Sequence, residues 1–410
     1  MAVIKPFKGI RYSDKVSTAA DVITPPYDVI GPDMQENFYL RSPYNFIRLE
    51  HGKTYPGDDA KHNRYHRARL TMDNWLEKEI LKPDPEPFYY LYIQEFTYLK
   101  KLYRRRALIA ALQLERFNQG SIFPHEATFA GPKKDRLSLL KETKANLSPI
   151  MALFSDPDQQ MDTIFTEAEK SAAPVSSFKL DGQIHRLMAV SDNTLQERIS
   201  EALRPHSLLI ADGHHRYETA LNYYQNKAKT SSESGSAYIL AALCSSGDPG
   251  LLMLPAHRLL SGLNREKKEE LEQLIEKYFT QENLDERNIF EGDDWQILMK
   301  EYSQKGGIGY ITAGKTALLM PRSALESNLP VILLHDLLLN PLLSSTDSDE
   351  LGITYSQQLT EVVRSVRSGE ADCAFFLEAP TVESVLTFAR KGRLLPEKST
   401  YFFPKLPSGL

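Results

Sequence analysis

The sequence predicts a mixed α and β fold, of the α+β (mixed α/β) class, on three observations. The stretch "FYYLYIQEFTYLKKLYRRRALIAALQL" is aromatic and β-branched, with a polar break at Lys100 and Lys101, and reads as a strand hairpin. "DAKHNRYHRARLTMDNWLEKEI" and "NREKKEELEQLIEKYF" are charged, amphipathic and long enough for helices. "HSLLIADG" reads as a short buried strand that runs directly into the helical pattern "HRYETALNYYQNKAK".

The other elements follow in chain order. Residues 1–50 read as short strands and turns, with "TPPYDVIGPD" a rigid loop. Pro25 and Pro26 fix their own backbone and keep Thr24 extended, so Tyr27 and Asp28 are held in place. The loop "KPDPEP" ends the first long helix before the hairpin. "DRLSLLKETKANLSPIMALF" supplies a helix and then a strand-like run. Residues 160–200 alternate strand and loop signals before the helix "NTLQERISEAL". The polar tract "TSSESGS" is linker-like, and the last hundred residues mix strands with helices such as "PVILLHDLLLNPLL". No internal repeat is present.

Composition narrows the function. The chain has 410 residues, 41% hydrophobic and 25% charged, which suits two or three domains or one large elaborated one. A net charge of −5 argues against a protein that coats DNA, whose affinity is mainly electrostatic. Cys244 and Cys373 have no metal-ligand spacing and are expected as buried free thiols of a reducing compartment, with one long-range disulfide the alternative. "MAVIKPFKGIRY" has no long apolar core, and no apolar run reaches the roughly 20 residues of a membrane span. The expectation is a cytoplasmic protein with no membrane partner.

The densest chemistry lies in "LLIADGHHRYETAL". A strand that ends in Asp-Gly and opens into a helix places free N–H groups and the positive end of the helix dipole at one corner. Gly213 permits a tight turn or close approach of a ligand, Arg216 can fork onto a phosphate, and His214 and His215 add donors. Asp212 is the acid in this cationic group, placed to hold Mg2+ or to orient a histidine. For Asp-Gly alone, a helix cap is the plainer reading. The His-His-Arg that follows favours an anion site.

"ADGHHRYETA" resembles the Gly-acid/His-Arg-Arg block of the ParB and sulfiredoxin-like superfamily. Five blocks in order, "TPPYDVI", "PYNFIRLE", "PHEATFAGPKKDRLSLLKETKANLSPIMALF", "ADGHHRYETAL" and "LPEKSTYFFPKLPSGL", are similar to the domain-of-unknown-function 1015 family. The resemblance implies a ParB/sulfiredoxin-like nucleotide-binding core with large insertions. It implies a phosphate-binding region over residues 1–230, with an inserted hairpin and helix, and a mixed α/β region over 231–410. Similarity to the superfamily's free-serine kinases further implies a phosphotransferase that uses Mg2+ with ATP or ADP. Its acceptor would be a small hydroxyl metabolite, with free L-serine the best single choice. Asp28 then resembles the general base, beside Asp212 and His214 as catalytic residues, with a turn aspartate bonded to its own backbone the alternative for Asp28.

Further candidates surround the block. His125, Glu126, Thr128, Lys133, Asp135, Arg136, Lys141, Lys144 and Asn146 share one segment, and Lys133 and Arg136 stand near a helix start, where the dipole favours acids. A bound anion would repair that mismatch, so Lys133, Arg136 and Asn146 are read as phosphate contacts and His125 and Glu126 as substrate contacts. A solvated charged face is the alternative. Arg48 is a candidate for a substrate carboxylate. "GYITAGKT", Gly309 to Thr316, has the P-loop spelling, but its strand formers and the nearby Pro321 make it a hairpin tip. His62, His66 and Arg69 read as surface. Two alternatives to the kinase stand: a ParB-like nucleotide-sensing or nucleic-acid-associated binding protein, and a nuclease or other hydrolase using the histidines.

Overall fold

The computed structural model describes residues 1–16, 18–117, 119–126, 130–227, 234–284, 294–323, 329–344 and 351–410. They form two compact units: Met1–Leu252 with Ala389–Gly392 and Phe402–Leu410, and Met253–Phe388 with Arg393–Tyr401.

The first unit is built on a nine-stranded mixed sheet. Its order is Ile122–Phe123, Leu208–Asp212, Ile150–Phe154, Tyr238–Ser245, Lys101–Gln113, Tyr89–Tyr98, Gln183–Val190 and Ala173–Leu180, with Ile4–Lys5 also paired to Lys101–Gln113. The expected hairpin forms its centre. Tyr98 pairs with Lys101, so the turn is Leu99-Lys100, one residue before the polar break read from the sequence. Both turn residues have left-handed φ, 46° and 62°, which matches the twist of a two-residue hairpin.

Alternation along these strands separates two faces. Tyr89, Leu91, Ile93, Leu108, Ala110 and Leu112 are buried with Met161, Ile164 and Phe165 of helix Gln160–Ser171 and with Leu195 and Ile199 of helix Asn193–Leu203. The opposite face carries Tyr90, Ile109, Ala111, Leu187 and Leu240.

The structure departs from the sequence reading at three places. Residues 160–200 begin with helix Gln160–Ser171, whose buried Met161, Ile164, Phe165 and Ala168 repeat at helical spacing. Residues 1–50 hold the helix Pro32–Arg41, which starts on a proline whose missing N–H costs nothing there. Strand Tyr238–Ser245 lies between Ile150–Phe154 and Lys101–Gln113, so the first unit continues past residue 230. Most of the linker-like tract lies outside the described residues.

The second unit holds an antiparallel six-stranded sheet, ordered Phe279–Asn283, Lys315–Pro321, Ile308–Thr312, Cys373–Phe376, His257–Ser261 and Gly352–Ser356. Thr312 pairs with Lys315, so Ala313-Gly314 is a hairpin tip and Lys315 begins a strand. A P-loop needs a helix at that point, and the strand Lys315–Pro321 stands there instead. Cys244 and Cys373 are both buried and free. Among the described residues no helix is long and apolar enough to cross a membrane.

Candidate functional site at the Asp212–Arg216 corner

Strand Leu208–Asp212 buries Leu208, Leu209, Ile210 and Ala211 and pairs parallel with Ile122–Phe123 and antiparallel with Ile150–Phe154. Its register shifts between Ile210 and Asp212, a bulge that re-aims the last side chain. Gly213 then turns at φ +91°, and a Cβ there would lie 2.8 Å from Ile150 Cγ2 and 3.0 Å from the Arg216 guanidinium. Only glycine fits. Helix His214–Lys227 follows at once, and its first internal bond is Tyr217 N–H to Gly213 O at 2.9 Å. The N–H groups of His214, His215 and Arg216 precede that bond and have no carbonyl inside the helix to donate to.

Asp212 is the hub of the ion pairs. Arg216 Nη2 donates to its Oδ2 at 2.6 Å, and Lys405 Nζ donates to its Oδ1. Arg216 Nη1 also donates to Pro149 O at 2.6 Å and Ser148 Oγ at 3.1 Å. Burial works to raise the Asp212 pKa, yet the Lys405 ammonium and Arg216 guanidinium outweigh it and hold the carboxyl well below the usual range. This arrangement does not fit Asp212 as a magnesium ligand. Both oxygens already accept from cations, and a dication would enter against two positive groups. Nor do the described residues group three or more His, Cys, Asp or Glu where they could hold a metal. Asp212 instead fixes Arg216 and Lys405 at the helix start.

Two histidines pack behind the corner, with ring centroids 4.6 Å apart. His125 Nδ1 lies 2.6 Å from Ile210 O, which only accepts, so Nδ1 carries the proton. His125 N–H donates to His214 Nε2 at 3.3 Å, which leaves the His214 proton on Nδ1. Burial, then the neighbouring His125, lowers the His214 pKa to about 3, so it is neutral. Glu126 Oε1 stands 3.6 Å from His125 Nε2. His215 is half-buried at the second helical position.

A second chain of contacts reaches the corner from the N-terminal loops. Glu50 Oε1 accepts from Ser148 Oγ at 3.0 Å and from Arg136 Nη1 at 3.1 Å. Arg136 lies over the Tyr27 ring at 3.9 Å and donates from Nε to Asp135 Oδ2 at 2.7 Å. Burial pushes the Tyr27 phenol up to about 12, while Arg216 and Arg136 pull the other way. Exposed Asp28 stands next to Tyr27 on the short turn Tyr27–Val29, so the Pro-Pro-Tyr-Asp loop lies within electrostatic reach of the block.

Several expected contacts take other roles. The cationic start of helix Ala130–Thr143 is balanced by the protein's own acids: Lys133 donates to Glu218 at 2.9 Å and Arg136 to Glu50 and Asp135. No external anion is needed there. Arg48 lies over the Tyr39 ring at 4.3 Å and donates to Tyr39 O. It is Glu50, two residues on, that reaches the block. Exposed Asn146 lines a 50 Å³ cavity with Arg136, Ser148 and Arg216. His62 is exposed and precedes the helix Arg64–Glu77, whose cap is Asn63. Thr128 lies outside the described residues. Sequence reasoning missed Glu50, Ser148 and Lys405, although all three stand inside the blocks "PYNFIRLE", "KANLSPI" and "FFPKLPSGL".

Fold and site together define a mixed α/β protein whose large sheet ends in a strand–glycine–helix corner ringed by ion pairs. The chain belongs to the DUF1015 family, described as a protein of unknown function, whose model matches residues 4–339. No curated protein matches it. Among solved structures it is similar to a conserved hypothetical protein from Pyrococcus furiosus, 16% identical, covering 70% of this chain and 90% of that one at a TM-score of 0.37. It is also similar to a free serine kinase in complex with AMP, 13% identical, covering 71% and 89% at 0.37. A third is SbnI with a C-terminal truncation from Staphylococcus aureus, 10% identical, covering 73% and 84% at 0.38.

Proposed function

We propose that the Asp212–Arg216 corner is the phosphate end of a nucleotide site and that the chain is a small-molecule phosphotransferase. ATP or ADP is the donor and a small hydroxyl metabolite the acceptor, with free L-serine the first to test. The observation that carries this reading is the pairing of Gly213, at φ +91° before a 14-residue helix, with two cations held on one carboxylate. Asp212 carries one negative charge and Arg216 and Lys405 two positive ones, so the corner has a net charge of about +1 before the helix dipole is added. A polyphosphate meets backbone donors, an arginine and a lysine together.

The roles follow from position. N–H groups of the first turn and Arg216 hold phosphate oxygens, and Lys405 adds a second cation. Asp28 accepts the proton of the acceptor hydroxyl as its oxygen bonds to phosphorus and the donor's P–O bond breaks. His125, whose Nδ1 donates to Ile210 O, and neutral His214 shape the wall. Glu50 and Ser148 position Arg216. No step here uses Asp212 as a metal ligand.

The test incubates the full chain with MgATP or MgADP and a panel of small alcohols headed by L-serine, and reads phosphorylated product by mass spectrometry. A phosphorylated alcohol supports the reading. Saturable ATP or ADP binding with no product from any acceptor moves the assignment to a nucleotide-sensing binding protein.

A further inference from the structure

The sheet face opposite the main helical layer covers a large space. Ile109, Leu187 and Leu240 form its floor, and Phe46, Leu49 and Met72 its sides, around a cavity of 680 Å³. Five of these six are buried or nearly so, Leu49 at 1% exposure and Leu187 at 3%, so the walls are core-like while the space between them is unfilled by the described residues. Folded interiors hold few voids larger than a water molecule. This volume instead lies within the range of about 300–1,000 Å³ typical of small-molecule sites.

The side-chain charge at its border is positive, while the backbone carboxylate of Leu410 also lines the cavity. Lys5, Lys8, Arg11 and Lys144 line it, and no Asp or Glu does among the described residues that line it. Arg11 is matched by Asp84 at 2.5 Å, and Lys5 lies over the Tyr238 ring at 4.9 Å. Lys8 and Lys144 are exposed, so the cavity opens to solvent beside them. Lys144 holds a left-handed φ of 53° just after helix Ala130–Thr143, where glycine or asparagine is the usual residue.

We propose that this cavity binds an amphipathic anion, its apolar body against the sheet and its single anionic group at Lys8 and Lys144. Charge complementarity selects the anion: it gains two cationic side chains at the mouth that a neutral molecule does not use and that repel a cation. The site does not depend on the phosphotransfer reading, since none of Asp28, Asp212, Arg216 or Lys405 lines it.

Two probes that differ by one charged group test this. 1-Anilinonaphthalene-8-sulfonate and N-phenyl-1-naphthylamine share the same aromatic body, and only the first is an anion. Each is titrated into the full chain and followed by fluorescence. The sulfonate should bind saturably at one site, about tenfold tighter than its neutral counterpart, as one charge-assisted contact provides. Lys8→Glu with Lys144→Glu, both surface changes, should remove that preference and leave the neutral probe unchanged. Ala111→Trp, which fills the floor, should abolish binding of both. Equal affinity for the two probes, or a preference that survives the lysine reversals, overturns the anion assignment. Absence of saturable binding to the unmodified chain, or binding untouched by Ala111→Trp in a variant that retains its melting temperature, overturns the site.

Discussion

Lys405 reaches back across 193 residues of chain to place its ammonium on Asp212, the last residue of the strand that feeds the block. The pair puts the tail "FFPKLPSGL" into the corner, where Arg105, itself 1% exposed, donates to Pro404 O at 2.6 Å and anchors the same segment. Lys405→Met should therefore weaken ATP or ADP binding by about tenfold to a hundredfold, the worth of one charge-assisted contact of about 1.5–3 kcal/mol. Titration calorimetry at two salt concentrations checks it. Unchanged affinity would remove Lys405 from the site.

Arg216→Ala and Lys315→Ala separate the corner from the P-loop spelling. Arg216→Ala removes a guanidinium with three partners at the corner and should cut phosphotransfer by about tenfold to a hundredfold. Lys315→Ala removes a side chain that pairs with Gln281 and Glu272 on the second unit's sheet. Its effect on stability should stay within about 0.5 kcal/mol, with no loss of turnover. The reverse pattern in steady-state kinetics would transfer the nucleotide site to Gly309–Thr316.

Gly213→Ala tests the turn itself. The substitution imposes a Cβ at φ +91° and 2.8 Å from Ile150, so both strain and a clash oppose it. A cost of about 1–3 kcal/mol is expected by urea unfolding. Gly182→Ala is the comparison, because Gly182 has φ +78° but nothing within 4 Å of a Cβ. Gly182→Ala should cost less, and equal losses would show that the contact with Ile150 and Arg216 is unimportant.

Glu50 and Arg136 are 2% and 6% exposed, and Arg136 also pairs with Asp135, so removing the Glu50 charge leaves the buried guanidinium with one carboxylate in place of two. Glu50→Gln should destabilise by about 1.5–3 kcal/mol, the worth of one charge-assisted contact. With Arg136→Met added, the double variant should lose less than the sum of the two single losses, because each single change breaks the same contact. A double-mutant cycle by chemical denaturation measures the coupling, and strict additivity would mean the two side chains act independently.

Stability should fall on acidification between pH 6.5 and about 4. Burial lowers the pKa of His214 and His257 to about 3 and of His185 and His335 to about 4. The unfolded chain binds protons at these groups below about 6.5 while the folded chain does not, so the slope of stability with pH is positive through that window. Each such histidine contributes up to about 1.4 kcal/mol per pH unit. Melting temperatures recorded at intervals from pH 7 to 4 check the sign. A flat profile would mean these histidines titrate while folded.

Local patterns determined much of this protein by themselves. The aromatic and β-branched alternation before and after Lys100 specified the central hairpin, because residues two apart share a face of a strand. Asp-Gly-His between an apolar run and a helical pattern specified the corner, because only glycine adopts the turn at residue 213. Tyr310, Ile311 and the nearby Pro321 were enough to make "GYITAGKT" a hairpin. What only the tertiary structure decided is which charges meet. Lys405 and Asp212, Glu50 and Arg136, and Ser148 and Arg216 lie 193, 86 and 68 residues apart. No periodicity spans those separations; the pairing depends on which loops the sheet order brings to one edge. The same fact turned Arg48 toward Tyr39 and brought Glu50 to the corner, since two residues apart on a helical turn do not face the same way.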